Sequence, residues 1–149
     1  MHQSTTESHS ITEALARFVC DTAAAAIPQE VRSRAKMSFL DTLGIALGGA
    51  VEPAARVLAD HVRESDTVAE ATVLGMGFRC DAAHAALVNG LSADIVGWSD
   101  ISGIQMNHPS VSICPAVWAV GELLGSSGEE VLASHIIGTE VANKIGAGV

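Results

Sequence analysis

The residues best suited to chemistry lie between positions 94 and 108, in a polar segment that contains Asp94, Trp98, Asp100 and His108. An imidazole titrates near neutral pH, so His108 can take a proton from a carbon next to a carboxylate or return one to it. Asp100 can bind water or orient His108. The segment therefore predicts an acid–base site for a small ligand, with His108, Asp100 and Asp94 as its catalytic candidates.

Two serines follow at a predicted helix start. Ser110 and Ser112 come directly after Pro109 and near His108. The first backbone N–H groups of a helix are unpaired and favour an anion. The two serines, with Trp98, are therefore candidate substrate-binding residues.

Each candidate also has a structural interpretation. His108 can form a hydrogen bond to the backbone at the helix start, and Asp100 belongs to a residue type common in turns. A lone tryptophan usually contributes packing area, so Trp98 is expected to cover the loop. Serines at a helix start are ordinary capping residues.

The elements that must position this segment are helices. The chain predicts an all-α bundle of about six helices over residues 10–149, after a disordered N-terminus at 1–9. Starts are indicated by Ser10 with Glu13, Pro28, Pro53, Asp81, Pro109, and Ser127 with Glu130. The expected helices extend to about residues 26, 49, 61, 96, 124 and 141. ATVLGM at 71–76 is the only strand-like run, and the glycine of Asn89–Gly90 indicates close helix packing.

Composition narrows the class of protein. The chain has 149 residues, a formal charge of −9 and 48% apolar but only 3% aromatic residues, which favours closely packed helices. Only Lys36 and Lys144 are lysines, so a nucleic acid partner is not expected. Three cysteines without a CxxC pair predict neither a disulfide framework nor a zinc site, and fit the cytoplasm. No metal cluster, secretory signal or membrane-spanning run is evident.

Four segments carry a family resemblance: KMSFLDTLGIALGGA (36–50), NG (89–90) with its polar loop, HPSVSICPAVWAVGE (108–122) and GTEVANKIG (138–146). In order and spacing they resemble the MmgE/PrpD family. Members include 2-methylcitrate dehydratase, cis-aconitate decarboxylase and iminodisuccinate epimerase, whose chemistry on small polycarboxylates needs no cofactor. The resemblance implies a homodimer, and a longer protein whose helical domain is matched here only in its first part.

The loop after NG departs from the family's pattern. The pattern is kept at Trp98, Asp100 and His108, while the family's loop histidine falls on Asp94 and its first aspartate falls on Gly97. The resemblance implies that dehydratase and decarboxylase members need that aspartate. We hypothesise that Asp94, three residues earlier on the same helical face, supplies the carboxylate instead.

The sequence leaves two functions open. The chain is either a fragment or short relative of a lyase or isomerase acting on small polycarboxylates, or a non-catalytic helical dimerisation or binding module derived from that family. The family's later lysine has no counterpart here, and the apolar last two helices indicate a truncated chain or a tight oligomer. The particular polycarboxylate and the reaction stay open.

Overall fold

The computed structural model describes residues 10–65, 67–104 and 106–148. The predicted disordered N-terminus, at 1–9, lies outside the described residues. The elements are α1 (Ile11–Asp21), a 3₁₀ turn (Ala24–Ala26), α2 (Gln29–Gly49), α3 (Pro53–Glu64), β1 (Ala71–Val73), β2 (Phe78–Cys80), α4 (Ala82–Asp94), α5 (Pro109–Leu124) and α6 (Gly128–Ala147). The predicted all-α bundle of about six helices is confirmed.

Side-chain caps fix three helix starts. The Ser10 hydroxyl accepts a hydrogen bond from the Glu13 N–H at the start of α1. Asp81 caps α4 as its spacing predicts. Ser127 and Glu130 form a reciprocal capping box at α6, because each side chain accepts from the other residue's backbone N–H.

Four helix ends differ from the sequence prediction. Helix α3 continues to Glu64 instead of about residue 61. Helix α1 stops at Asp21, because Thr22 adopts an extended backbone, and a separate 3₁₀ turn follows.

Helix α4 ends at Asp94 and the chain then turns through Gly97, which has a φ of 69°. The hypothesis that Asp94 and position 97 lie on the same helical face is therefore wrong, because only Asp94 belongs to the helix. Helix α6 continues to Ala147, well beyond residue 141. End signals in the sequence are weaker than start signals, since a helix end needs no specific capping side chain.

The strand-like run at 71–76 forms half of a small hairpin. Strands β1 and β2 pair antiparallel, with Ala71 opposite Cys80 and Val73 opposite Phe78. The sequence analysis missed β2, because three residues are too few to show an alternating pattern.

The Asn89–Gly90 pair joins the hairpin to the helices. Asn89 is fully buried in α4. Its Oδ1 accepts a hydrogen bond from the Leu74 N–H at 2.8 Å, and its Nδ2 donates one to the Thr72 carbonyl at 2.9 Å. A Cβ on Gly90 would lie 3.3 Å from the Val111 carbonyl oxygen of α5. The predicted close packing at Gly90 is therefore confirmed.

Helix α4 is the centre of the bundle and packs most extensively against α5 and α2. A Cβ on Gly49 would lie 1.9 Å from the Ser92 carbonyl oxygen, so α2 and α4 approach closely where α2 ends. Small residues of α4, including Ala85, Val88 and Ala93, contribute to the core together with residues of the other helices and of the hairpin.

Across the part of the chain that the structure describes, no single helix combines the length and apolarity needed to cross a membrane. Helices α2 and α3 have the length and apolarity of a membrane span only when they are taken together, and the two are bent by 86° relative to each other.

Candidate active site

Asp100 anchors the start of α5 from the preceding loop. Its Oδ1 accepts from the Ser110 N–H at 3.1 Å, and its Oδ2 accepts from the Ser110 and Ser38 hydroxyls. The two hydroxyls lie 2.8 Å apart. His108 is the residue at the cap position of α5, but its side chain forms no capping bond. Asp100 therefore caps the start of α5 in place of His108.

The backbone of Asp100 also orients His108. The Nδ1 of His108 lies 2.8 Å from the Asp100 carbonyl oxygen. A carbonyl only accepts, so Nδ1 carries the hydrogen, and in the neutral imidazole Nε2 holds the free lone pair. The ring is exposed. This arrangement presents a base at the helix start, and it contains the backbone hydrogen bond that the structural interpretation predicts.

A short bridge holds the loop between these two residues. Ser102 and Asn107 pair as an isolated antiparallel bridge, with the Ser102 N–H donating to the Asn107 carbonyl at 2.9 Å. The Ser102 hydroxyl donates to Oδ1 of Asn143 in α6 at 2.9 Å. Asn143 belongs to the GTEVANKIG segment, so this segment ties α6 to the loop that carries His108.

Asp94 and Trp98 lie on the exposed side of the loop. Asp94 is the exposed last residue of α4, and its carbonyl accepts from the Gly97 N–H at 3.0 Å. Trp98 is 78% exposed, so the expectation that its ring covers the loop is not met within the described residues. A Cβ on Gly97 would meet no atom within 4 Å. The space where the family's first aspartate would stand is therefore open.

The two serines differ in position. Ser110 is 2% exposed and is occupied by Asp100 and Ser38. Ser112 lies on the exposed side of the first turn of α5. Only Ser112 is available to an approaching ligand without rearrangement of these contacts.

His135 is a residue that the sequence analysis missed. Its helical pattern predicts a surface or hydrogen-bonded core histidine away from the loop. In the structure it is 3% exposed, its Nδ1 has no hydrogen-bond partner, and it lines a cavity of about 480 Å³ together with Ser38, Asp100 and Ser110. Burial lowers its pKa, and the nearby charge of Asp100 opposes that shift. Nothing in the local sequence signals this position, because the cavity forms only when α6 packs on α2 and α5.

Cys114 is inert in this setting. It is buried in α5, and desolvation with a smaller contribution from Asp100 raises the pKa of its thiol to about 12. A neutral thiol is a poor nucleophile, so Cys114 contributes to packing and not to chemistry. Among the described residues, no group of three His, Cys, Asp or Glu side chains could hold a metal ion.

These features define an all-helical unit that presents a capped helix start, one carboxylate and one oriented imidazole at a loop. The sequence profile of the MmgE/PrpD N-terminal domain matches residues 13–149. The chain belongs to the MmgE/PrpD family, as the four segments predict.

Curated relatives of this chain include cis-aconitate decarboxylases from two organisms. The chain is similar to a cis-aconitate decarboxylase of Aspergillus terreus, with 24% identity over 144 residues, or 93% of this chain and 29% of the relative. It is also similar to the cis-aconitate decarboxylase of Homo sapiens, with 26% identity over 141 residues, or 91% of this chain and 29% of the relative. The chain thus spans less than a third of the length of these curated relatives.

Proposed function

We propose that this chain is the N-terminal helical part of a lyase or isomerase that acts on small polycarboxylates by proton transfer next to a carboxylate. The observation that carries the proposal is the 2.8 Å contact between Nδ1 of His108 and the Asp100 carbonyl, because it leaves Nε2 as the free base. Membership of the MmgE/PrpD family and the similarity to cis-aconitate decarboxylases support the same chemistry.

In this proposal His108 is the catalytic base. In dehydration, Nε2 takes a proton from the carbon next to a carboxylate, and the hydroxyl on the neighbouring carbon leaves as water once the second acid has protonated it. In epimerisation, Nε2 takes the proton from one face of that carbon and the second acid returns a proton to the other face. In decarboxylation, the imidazolium donates its proton to the carbon that loses carbon dioxide. All three reactions need a group at the reacting carbon that can accept or donate a proton.

The surrounding residues hold the base and the substrate. Asp100 is a positioning residue, because its carbonyl orients His108 and its carboxylate fixes the start of α5 through Ser110. Ser112 is exposed at this helix start and Trp98 is exposed in the preceding loop, and we assign both to substrate contact. The positive end of the α5 dipole favours a substrate carboxylate there.

Asp94 is proposed as the second acid, in place of the aspartate that the family carries at the position of Gly97. The open space around Gly97 accommodates an aspartate, and aspartate tolerates a positive φ better than most residues. We expect Asp94→Asn to lower turnover and Gly97→Asp, added to it, to recover part of the loss. An Asp94→Asn enzyme with unchanged turnover would remove Asp94 from the mechanism.

The test of His108 uses the native-length gene product. Turnover is measured on cis-aconitate, 2-methylcitrate and iminodisuccinate, with carbon dioxide release, water loss and inversion followed separately. We expect His108→Ala to lower kcat by ~10²-fold or more on whichever substrate is active. The exposed His61 of α3 provides the matched control, His61→Ala, with unchanged turnover. An unchanged rate in His108→Ala would refute the proposal.

A second function, a non-catalytic dimerisation or binding module, is favoured by Gly97, which lacks the family's carboxylate. The two functions differ in an accessible measurement, the intact mass of the protein purified from its source. A mass several times that of this chain favours the enzyme. A mass equal to that of this chain favours the module.

We also propose a cytoplasmic location. All three cysteines are free thiols, with Cys20 exposed and Cys80 and Cys114 buried. A reducing compartment keeps an exposed thiol such as Cys20 in this form.

A further inference from the structure

The GTEVANKIG segment (138–146) carries part of the family resemblance, yet none of its residues takes part in the proposed proton transfer. The segment lies within α6, and two of its residues contact the elements on either side of His108. A Cβ on Gly138 would lie 3.0 Å from Cγ2 of Ile113, so α6 packs closely against the helix that follows His108. Asn143 contacts the loop that precedes His108.

Asn143 holds the first residue of the bridge in this loop. Its Oδ1 accepts a hydrogen bond from the Ser102 hydroxyl at 2.9 Å. The Ser102 N–H donates to the Asn107 carbonyl at 2.9 Å, and the Ser102 carbonyl accepts from the Met106 N–H at 2.8 Å. These two backbone bonds close the loop directly before His108, so the position of Ser102 determines where the chain enters α5.

The imidazole of His108 depends on the same stretch of backbone. Its Nδ1 bonds to the Asp100 carbonyl, which lies two residues before Ser102. Two residues span at most about 7 Å of extended chain, so a shift of Ser102 moves this carbonyl as well. Asp100 is also fixed by its carboxylate, which accepts from the Ser110 N–H. Loss of the bond between Ser102 and Asn143 therefore loosens His108 without releasing it.

On the basis of the proposed function of His108, we propose that Asn143 is a positioning residue, which fixes Ser102 and thereby the backbone that orients the catalytic base. A misplaced base reacts more slowly even where the substrate still binds, because the reacting atoms must lie about 3–3.5 Å apart. Loss of Asn143 should therefore lower kcat and leave KM nearly unchanged. Since Asp100 still holds the ring, the effect should be about tenfold, smaller than the ~10²-fold expected for loss of the imidazole.

The test compares two replacements of Asn143 in the native-length gene product. Asn143→Ala removes the acceptor of the Ser102 hydroxyl and should lower kcat about tenfold. Asn143→Asp keeps an oxygen acceptor at the same position, so it should retain most of the rate. Ser102→Ala removes the other partner, and the double variant should lose about as much as Ser102→Ala alone.

Thr139→Val provides the matched control on α6. Thr139 and Asn143 are both half-buried, and the Thr139 hydroxyl donates to the His135 carbonyl within the helix at 2.8 Å. The variant removes a hydrogen bond of α6 that does not reach the loop, so kcat should stay unchanged. Circular dichroism checks that all variants fold.

Hydrogen exchange gives a second readout, which needs no substrate. The Ser102 and Met106 N–H groups are the donors in the two backbone bonds that close the loop. In Asn143→Ala they should exchange about tenfold faster or more, because the loop opens more often. Thr139→Val should exchange like the unchanged protein. Mass spectrometry of peptides from residues 101–108 measures the exchange.

The outcomes separate the role of Asn143 from that of His108. A loss of rate in His108→Ala with an unchanged kcat in Asn143→Ala overturns the positioning role and leaves the proposed function intact. An unchanged rate in His108→Ala refutes the proposed function, and with it the catalytic role of Asn143. Unchanged exchange in Asn143→Ala, or a rate loss that Asn143→Asp does not recover, also overturns the positioning role.

Discussion

Replacement of Asp100 by alanine tests whether this carboxylate holds the candidate site together. The change removes the acceptor for the Ser110 N–H and for the Ser110 and Ser38 hydroxyls. The hydroxyls keep each other as partners, since they lie 2.8 Å apart. The N–H of Ser110 has no such alternative, because Ser110 is 2% exposed.

The expected loss of unfolding free energy follows from the buried N–H of Ser110, which loses its acceptor. An unsatisfied buried N–H costs about 1–3 kcal/mol, and the lost cap at α5 overlaps with this cost. We expect Asp100→Ala to lower the free energy of unfolding by about 2–3 kcal/mol, which at this chain length lowers Tm by about 4–12 °C. Asp100→Asn keeps an amide oxygen for the Ser110 N–H, so we expect it to cost about 1 kcal/mol.

The assay is urea unfolding followed by circular dichroism, with the midpoint compared at a constant slope. Asp94→Ala provides the control, because Asp94 is exposed and its negative charge lies at the unfavourable C-terminal end of α4. That variant should change the free energy of unfolding by less than about 0.5 kcal/mol. The reasoning fails if Asp100→Ala costs no more than this control, or if Asp100→Asn is as damaging as Asp100→Ala.

Two further predictions concern buried polar groups away from the loop. Asn89→Ala leaves the Leu74 N–H and the Thr72 carbonyl without partners, so we expect a loss of about 2–5 kcal/mol by urea unfolding; a loss below about 1 kcal/mol would contradict the role given to Asn89. Burial lowers the pKa of His135 from its ordinary value of 6.5, so the unfolded chain binds more protons as pH falls below that value. Its contribution to stability should be complete above pH 6.5 and decline below it, and His135→Leu should reduce the slope of unfolding free energy between about pH 7 and 5; an unchanged slope would show that His135 does not titrate on unfolding.

The parts of the fold that could be predicted from the sequence are those with local causes. Caps such as Ser127 with Glu130 act within four residues, and they placed the starts of the helices correctly. No local signal of this kind marks the three-residue strand Phe78–Cys80, because it is stabilised by pairing with β1. Strand β1 is in turn hydrogen-bonded to Asn89 in α4, a helix that comes later in the chain.

In the candidate site, too, the local features could be predicted and the long-range contacts could not. His108 and Asp100 were found because a polar break between apolar helices is visible in the sequence. The hydrogen bond between Asp100 and Ser38 could not be predicted, since it joins residues 62 positions apart. His135 was missed for the same reason, because its cavity is made by α6 packing on elements distant in the sequence.

The residues around the start of α5 differ in whether folding alone explains their contacts. Asp100 and Ser110 hold the start of α5, so an inactive binding module would require them as much as an enzyme would. Their presence therefore does not discriminate between the two functions. The Nε2 of His108 differs, because the ring is exposed and its hydrogen bond to the Asp100 carbonyl uses Nδ1. A loss of turnover in His108→Ala without a loss of stability would assign that nitrogen to chemistry, and a variant that lost only stability would assign the imidazole to folding.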